Sequence, residues 1–190
     1  MSEKPLTYEG VLEMIRETRE AIHDISRATK EQGVEFDRRM RETSRKISDL
    51  GSRVGEIVEN MIGGNIVDKF QTLGYEITQY HRNTKYEYKT LGIRGEIDML
   101  LENGEIAILI EVKTSLETAD VRRHIDRLEK YRRCADARGD KRRFIGAVAG
   151  AVVKDEAMDF AHENGMYVIV QSGEAVEIVP VPEGFQAKEW

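Results

Sequence analysis

Cysteine is nearly missing from this chain, with Cys134 standing alone. No internal disulfide can form, and one cysteine with four scattered histidines makes no zinc-type ligand set, so a reducing, cytoplasmic setting is expected. Long apolar runs are absent as well. None approaches the roughly 20 residues that a membrane-spanning helix needs, and the N-terminus carries no signal-type apolar block, so a soluble, unexported protein with no membrane partner is expected. Proline is scarce, with none between Pro5 and Pro180, so nothing in between is barred from regular structure. No aromatic-rich basic surface for stacking single strands is visible, and neither is a phosphate-cradling glycine loop or a nucleophile motif. The net charge of -6 weighs against indiscriminate nucleic-acid binding but does not exclude a local basic patch.

What is present is enough for one core and more. At 190 residues, 40% hydrophobic and 34% charged, the chain can bury one core and keep residues over for an extended segment. Val11, Ile15, Thr18, Ile22, Ile25, Thr29, Gln32 and Phe36 step by four and three, the seam of a two-stranded coiled coil. The seam restarts as Met40, Thr43, Ile47, Leu50, Val54, Ile57 and Met61. Two successive steps of four at Phe36 predict a local unwinding or bend near Gly33. A single amphipathic helix packed on its own domain is the plainer alternative. Yet a helix of about 50 residues would run roughly 75 Å at 1.5 Å per residue, too long for a domain of about 140 residues to cover, so a partner helix and a homodimer through residues 8–50 are expected. Gly51, Gly55 and Gly63-Gly64 are expected to break the helix up, dividing a coiled-coil segment, 1–52, from a globular domain, 53–190.

Within that domain the pattern predicts a helix ending at about Thr72, before Leu73-Gly74. Strands follow at 75–82, 86–92, 96–101 and 106–113, the last two forming a hairpin turning on Asn103-Gly104. A charged helix over 119–137, strand 143–153, helix 155–164, strand 166–171 and a short strand 175–179 complete a three-layer α/β plan.

The hairpin carries the chemistry. With Asn103-Gly104 as its two-residue turn, Glu102 faces Glu105 and Asp98 faces Leu109, diagonal to Glu111. Alternation puts Ile97, Met99, Leu101, Ile106, Ile108, Ile110 and Val112 on a wholly apolar core face. The other face carries Glu96, Asp98, Glu111 and Lys113 together with Leu100, Ala107 and Leu109. A solvated polar face is the ordinary explanation, but the apolar residues sharing it imply a cover, and half-buried carboxylates crowded together need a proton, a cation or a metal. Hard oxygen ligands at such spacing suit Mg²⁺ or Mn²⁺. Lys113 beside them could orient a water or stabilise charge growing on a phosphorus-bound oxygen, or simply pair with Glu111.

"GEID" (Gly95 to Asp98), a twelve-residue interval, and "EVK" (Glu111 to Lys113) on consecutive strands after a helix resemble the PD-(D/E)XK nuclease superfamily, the fold of restriction endonucleases and archaeal Holliday-junction resolvases. The resemblance spans about Val54 to Val179. It implies a restriction-endonuclease-like core with a mixed central sheet, metal binding by Asp98 and Glu111, and help from Lys113 in activating the attacking water. It also implies an acid on the preceding helix. Glu59 is the choice, because Glu59, Ile62, Ile66, Phe70 and Leu73 form one helical stripe; Glu56 is the rival, and a capping or edge role is the alternative. Two departures stand out. Ile97 replaces the superfamily's proline, as in resolvase-like branches, and "RLEKY" puts Arg127 where some members carry glutamine, with Tyr131 retained.

Between Arg122 and Arg143 lie ten Lys or Arg residues, a local reversal of the overall charge. Val121, Ile125, Leu128, Tyr131 and Ala135 are expected inward, leaving Arg123, Arg127, Lys130 and Arg133 outward as a face that could track phosphates or merely be solvated. His124, a single histidine on a polar helix, is expected to titrate harmlessly rather than to catalyse. The expected function is a Mg²⁺-dependent DNA endonuclease dimerised by a coil. The alternative is a catalytically inactive nuclease-like adapter that binds nucleic acid or assembles partners.

Overall fold

The computed structural model describes residues 7–190 apart from Glu174, so the first six residues of the expected coiled-coil segment lie outside the described residues. The chain divides into two compact units that meet between Gly51 and Ser52.

One helix, α1 (Tyr8–Gly63), contains the whole expected seam. It is not interrupted at Gly33, Gly51 or Gly55, contrary to the expectation for the last two. Each glycine costs a helix about 1 kcal/mol relative to alanine, too little to end a segment held by so many neighbouring turns. Only Gly63-Gly64 stops it. Within the first unit the seam side chains Ile15, Ile22, Ile25, Phe36, Met40, Ile47 and Leu50 are exposed. Charged pairs one turn apart support the helix: Arg38 bonds Glu35 at 2.8 Å and Glu42 at 2.7 Å, and Arg39 bonds Glu35 at 2.8 Å. Hydrogen bonds from Arg38 and Arg39 hold the Glu35 carboxyl down at about 2.

The second unit is built on a six-stranded sheet in the order β1 (Gln79–Tyr88), β2 (Ile93–Glu102), β3 (Ile106–Leu116), β4 (Arg143–Val153), β5 (Tyr167–Ser172) and β6 (Ala175–Ile178). β1 to β3 are antiparallel, β3 to β5 parallel, and β5 with β6 antiparallel again, so the sheet is mixed. The parallel crossovers pass through α3 (Thr118–Ala137) and α4 (Asp155–Glu163), as a helix-linked unit requires. A short α2 (Ile66–Thr72) precedes the sheet, and Gly74 follows it at φ 91, a conformation open to glycine. Each sheet face buries its own apolar cluster. Val121, Leu128, Tyr131, Ala157 and Ala161 of α3 and α4 pack with Leu100, Leu109 and Val148. Val58, Ile62, Ile66 and Phe70, from the end of α1 and from α2, pack with Met99, Ile108, Ile110 and Ile169.

Three expectations need correction. The segment read as strands 75–82 and 86–92 is one strand, β1, followed by a 3-10 turn (Lys89–Leu91) and Gly92 at φ 63. The hairpin pairs Glu102 with Ala107 and Leu100 with Leu109, two residues from the expected register. The Asn103 side chain accepts the N–H groups of Glu105 and Ile106 at 3.1 and 2.9 Å, and Gly104 takes φ 89, which centres the turn on Gly104-Glu105. A slip of two leaves every side chain on its own face.

Ile97, finally, lies on the face opposite to the one expected. It packs with Leu100 and the α3 side, whereas Met99 and Leu101 pack on the other side. Alternation therefore fails once, at Asp98. Its neighbour across β1, Asn83, stands at φ 48, and the Asn83–Asp98 pair is missing from an otherwise continuous ladder between Arg82↔Met99 and Thr84↔Ile97. The register is the same on both sides of the missing rung, so both strands kink at the same step without an inserted residue.

Candidate active site

That kink opens the sheet. The β2–β3 ladder ends at Met99↔Ile110, and beyond it β2 stays with β1 while β3 stays with β4. A cleft of about 520 Å³ lies here, lined by Gly95, Glu96, Asp98, Glu111 and Lys113 from the two arms and by Arg123, Arg127 and Lys130 from α3. Gly95 is required by a close approach: a Cβ there would meet the Tyr86 ring at 2.4 to 2.8 Å. Tyr86 is braced in turn, edge-on, by Tyr131, 5.0 Å between ring centres.

Asp98 sits at the fork. With the ladder ended, the Val112 N–H has no strand partner on that side, and Asp98 Oδ2 accepts it at 2.8 Å. The side chain thus satisfies a backbone donor that would otherwise be lost. Glu111 is only 3% exposed and carries two cationic partners. Lys113 Nζ lies 2.7 Å from Oε1, and Arg127 donates to Oε2. Two charge-assisted bonds make its burial tolerable.

His124 lies behind this carboxylate and is fully buried, not the freely titrating histidine of a polar helix that the sequence led one to expect. Its Nε2 is 3.0 Å from the Leu109 carbonyl. A carbonyl only accepts, so Nε2 carries the proton and Nδ1 presents a lone pair. That Nδ1 has no hydrogen-bond partner and faces Glu111 Oε2 at 4.0 Å. Burial depresses the imidazole to about 4 against the opposing pull of the Leu109 bond and the Asp98 charge, so it is neutral near pH 7 and forms no ion pair with Glu111.

Glu59, near the C-terminal end of α1, reaches the same neighbourhood. Burial first, and the Asp98 charge second, push its carboxyl above the ordinary glutamate range, while Arg82, 3.5 Å away, pulls the other way. Arg82 also donates to Asn60 and so ties β1 to α1. Glu56 is exposed and is the smallest of the charges acting on Glu59. Leu73, the last residue of the expected stripe, is exposed past the end of α2.

The basic residues divide. Arg123, Arg127 and Lys130 line the cleft; Arg133 is exposed and does not. Arg127 does not point outward as expected: it is 28% exposed and turned onto Glu111, because a buried carboxylate one helix away is a stronger attractor than water. Arg123 pairs with Asp120, whose Oδ2 also accepts the Glu117 N–H at 3.0 Å at the start of α3. Sequence reasoning missed Arg82, Arg94 and Tyr86. It could have found His124, three residues after Val121 and four before Leu128, on the inward stripe.

Among the described residues no three His, Cys, Asp or Glu side chains stand as a ready metal cage. Asp98 and Glu111 do bring hard oxygen donors to one cleft. Glu59 and Asp98 are close enough for one charge to raise the other's proton affinity, and the nearby Glu111 oxygens are already held by cations. No known family, curated protein or solved structure matches the chain. None of its described helices is long and apolar enough to cross a membrane.

Proposed function

We propose that this protein is a Mg²⁺- or Mn²⁺-dependent DNA endonuclease of the PD-(D/E)XK type. In this reading the second unit is a three-layer restriction-endonuclease-like core, and α1 pairs with a second copy as a coiled coil. The carrying observation is that Asp98, Glu111 and Lys113 line one cleft with the α3 cations. Asp98 and Glu111 would hold the ion, with Glu59 near them. The ion would supply Lewis-acid polarisation of a phosphodiester and an acidified water. Lys113, whose ammonium is 2.7 Å from Glu111 Oε1, would stand within reach of that water. Arg123 and Lys130 hold the backbone by charge, contacts that carry position and not sequence. The lone buried Cys134 suits a reducing cytoplasm.

The test is incubation with plasmid, single-stranded, branched and RNA substrates in Mg²⁺ or Mn²⁺. Asp98→Ala and Lys113→Ala are each expected to lower cleavage by about 10²-fold or more, the scale of losing a key transition-state interaction. Cleavage that persists in both variants would remove these residues from the chemistry.

The Arg127–Glu111 pair favours a second reading, an adapter whose site is neutralised from within and binds nucleic acid without cutting it. Calorimetry separates the two, since the enzyme is expected to bind Mn²⁺ and lose it in Glu111→Ala. The exposed apolar seam supports the dimer. Light scattering should give twice the chain mass, falling to one chain when residues 8–50 are removed. A monomer at full length would exclude that assembly.

A further inference from the structure

Both oxygens of Glu111 are taken by side chains of different kinds. Lys113 reaches Oε1 from the same strand, two residues on, while Arg127 comes to Oε2 from α3 across the cleft. Among the described residues no other side chain donates a hydrogen bond to Oε2. His124 Nδ1, a buried lone pair 4.0 Å away, can only repel it. A carboxylate 3% exposed cannot be left bare, so if Arg127 leaves, a proton or another cation must take its place there.

Arg127 in turn has a second possible partner. It lines the cleft with Arg94, Lys113, Arg123 and Lys130, five cations in all beside the carboxylates Glu96, Asp98, Glu111 and Asp126, and its planar fork bonds a phosphate as well as it bonds a carboxylate. We infer that Arg127 is a shared latch: it holds Glu111 while the cleft is empty and moves to a backbone phosphate when nucleic acid enters, which frees Oε2 for the divalent ion. The idea rests on the nuclease reading and adds to it a coupling between the two ligands. By linkage each must tighten the other by the same factor. The protein so built is protected from idle metal loading, because Arg127 competes with the ion until substrate draws it away.

The test uses the full chain and counts bound Mn²⁺ by electron paramagnetic resonance. Titrations are made with and without a short phosphorothioate-linked DNA duplex, with metal bound by the duplex alone subtracted. In the wild type the duplex should tighten Mn²⁺ binding by about 10-fold or more, within the ordinary range of coupling between sites. Arg127→Gln should bind Mn²⁺ about as tightly without the duplex as the wild type does with it, and the duplex should add nothing. Arg127→Lys, which keeps the charge without the fork, should retain part of the coupling and serves if Arg127→Gln unfolds. Equal Mn²⁺ affinity in wild type and variants, with no duplex effect, overturns the latch and leaves the metal site standing. No Mn²⁺ bound by any of them overturns the latch and the nuclease reading together.

Discussion

Glu111→Gln is expected to lower stability by roughly 2–3 kcal/mol, a little below the 3–5 kcal/mol typical of breaking a buried ion pair. The loss follows from what is left behind. The carboxylate sits at 3% exposure between two cations, and an amide of the same shape cannot neutralise them. The reduction from the full figure comes from the cations, since Lys113 and Arg127 keep 37% and 28% of their side chains in contact with water, which screens the uncompensated charge. For a chain of this size the midpoint should fall by roughly 5–10 °C in thermal denaturation. Adding Arg127→Gln should recover about half of the loss, because one stranded charge then disappears with its partner; the double-mutant cycle measures this directly. Should Glu111→Gln melt with the wild type, the carboxylate is not engaged as described.

Acid should expose the second large effect. In the folded protein His124 is held to about 4 by burial, against 6.5 for a free imidazole. The depression means that the folded state resists a proton which the unfolded chain accepts. The associated stability is therefore complete above pH 6.5 and is lost as pH falls from 6.5 to about 4, by roughly 3 kcal/mol over the window. The groups around the ring work in opposite directions, with Asp98 drawing the proton and Lys113 repelling it, and desolvation outweighs both. Denaturant melts from pH 7 to 4 should show this slope in the wild type. It should shrink in His124→Gln, whose amide can still donate to the Leu109 carbonyl. His162 is also depressed by burial and contributes in the same sense, so the difference between the two proteins is the quantity to read. An imidazole resonance from His124 titrating near 6.5 would contradict the buried, unprotonated ring.

The sequence showed most clearly what depends on repetition. β3, α3 and the β4–α4–β5 unit follow from runs whose period is 2 or 3.6, and their order was readable because Gly74 and Gly165 punctuate them. The carboxylates and the lysine could be grouped because a hairpin slip of two changes neighbours without changing faces. What stayed hidden depends on single residues. One backbone dihedral at Asn83, paired with the missing rung at Asp98, turned Ile97 to the other layer, and nothing in the alternation of "GEIDML" announces it. Gly51 and Gly55 misled in the opposite way, as local breakers outweighed by a long helix. Arg127 has a side chain long enough to serve either face of its helix, so its position in the period does not decide where its charge goes. His124 was discounted for its charged neighbours, although its spacing belongs to the buried stripe.

The fork at Asp98 has a mechanical side. Its two arms share their last rung at Met99 and Ile110 and then separate, each still paired with its outer strand. Beyond that rung the arms are joined through the Asp98 side chain, which accepts the Val112 N–H at 2.8 Å, so they cannot swing apart without breaking that bond. The same aspartate that offers its charge to the cleft therefore also clasps its two arms together.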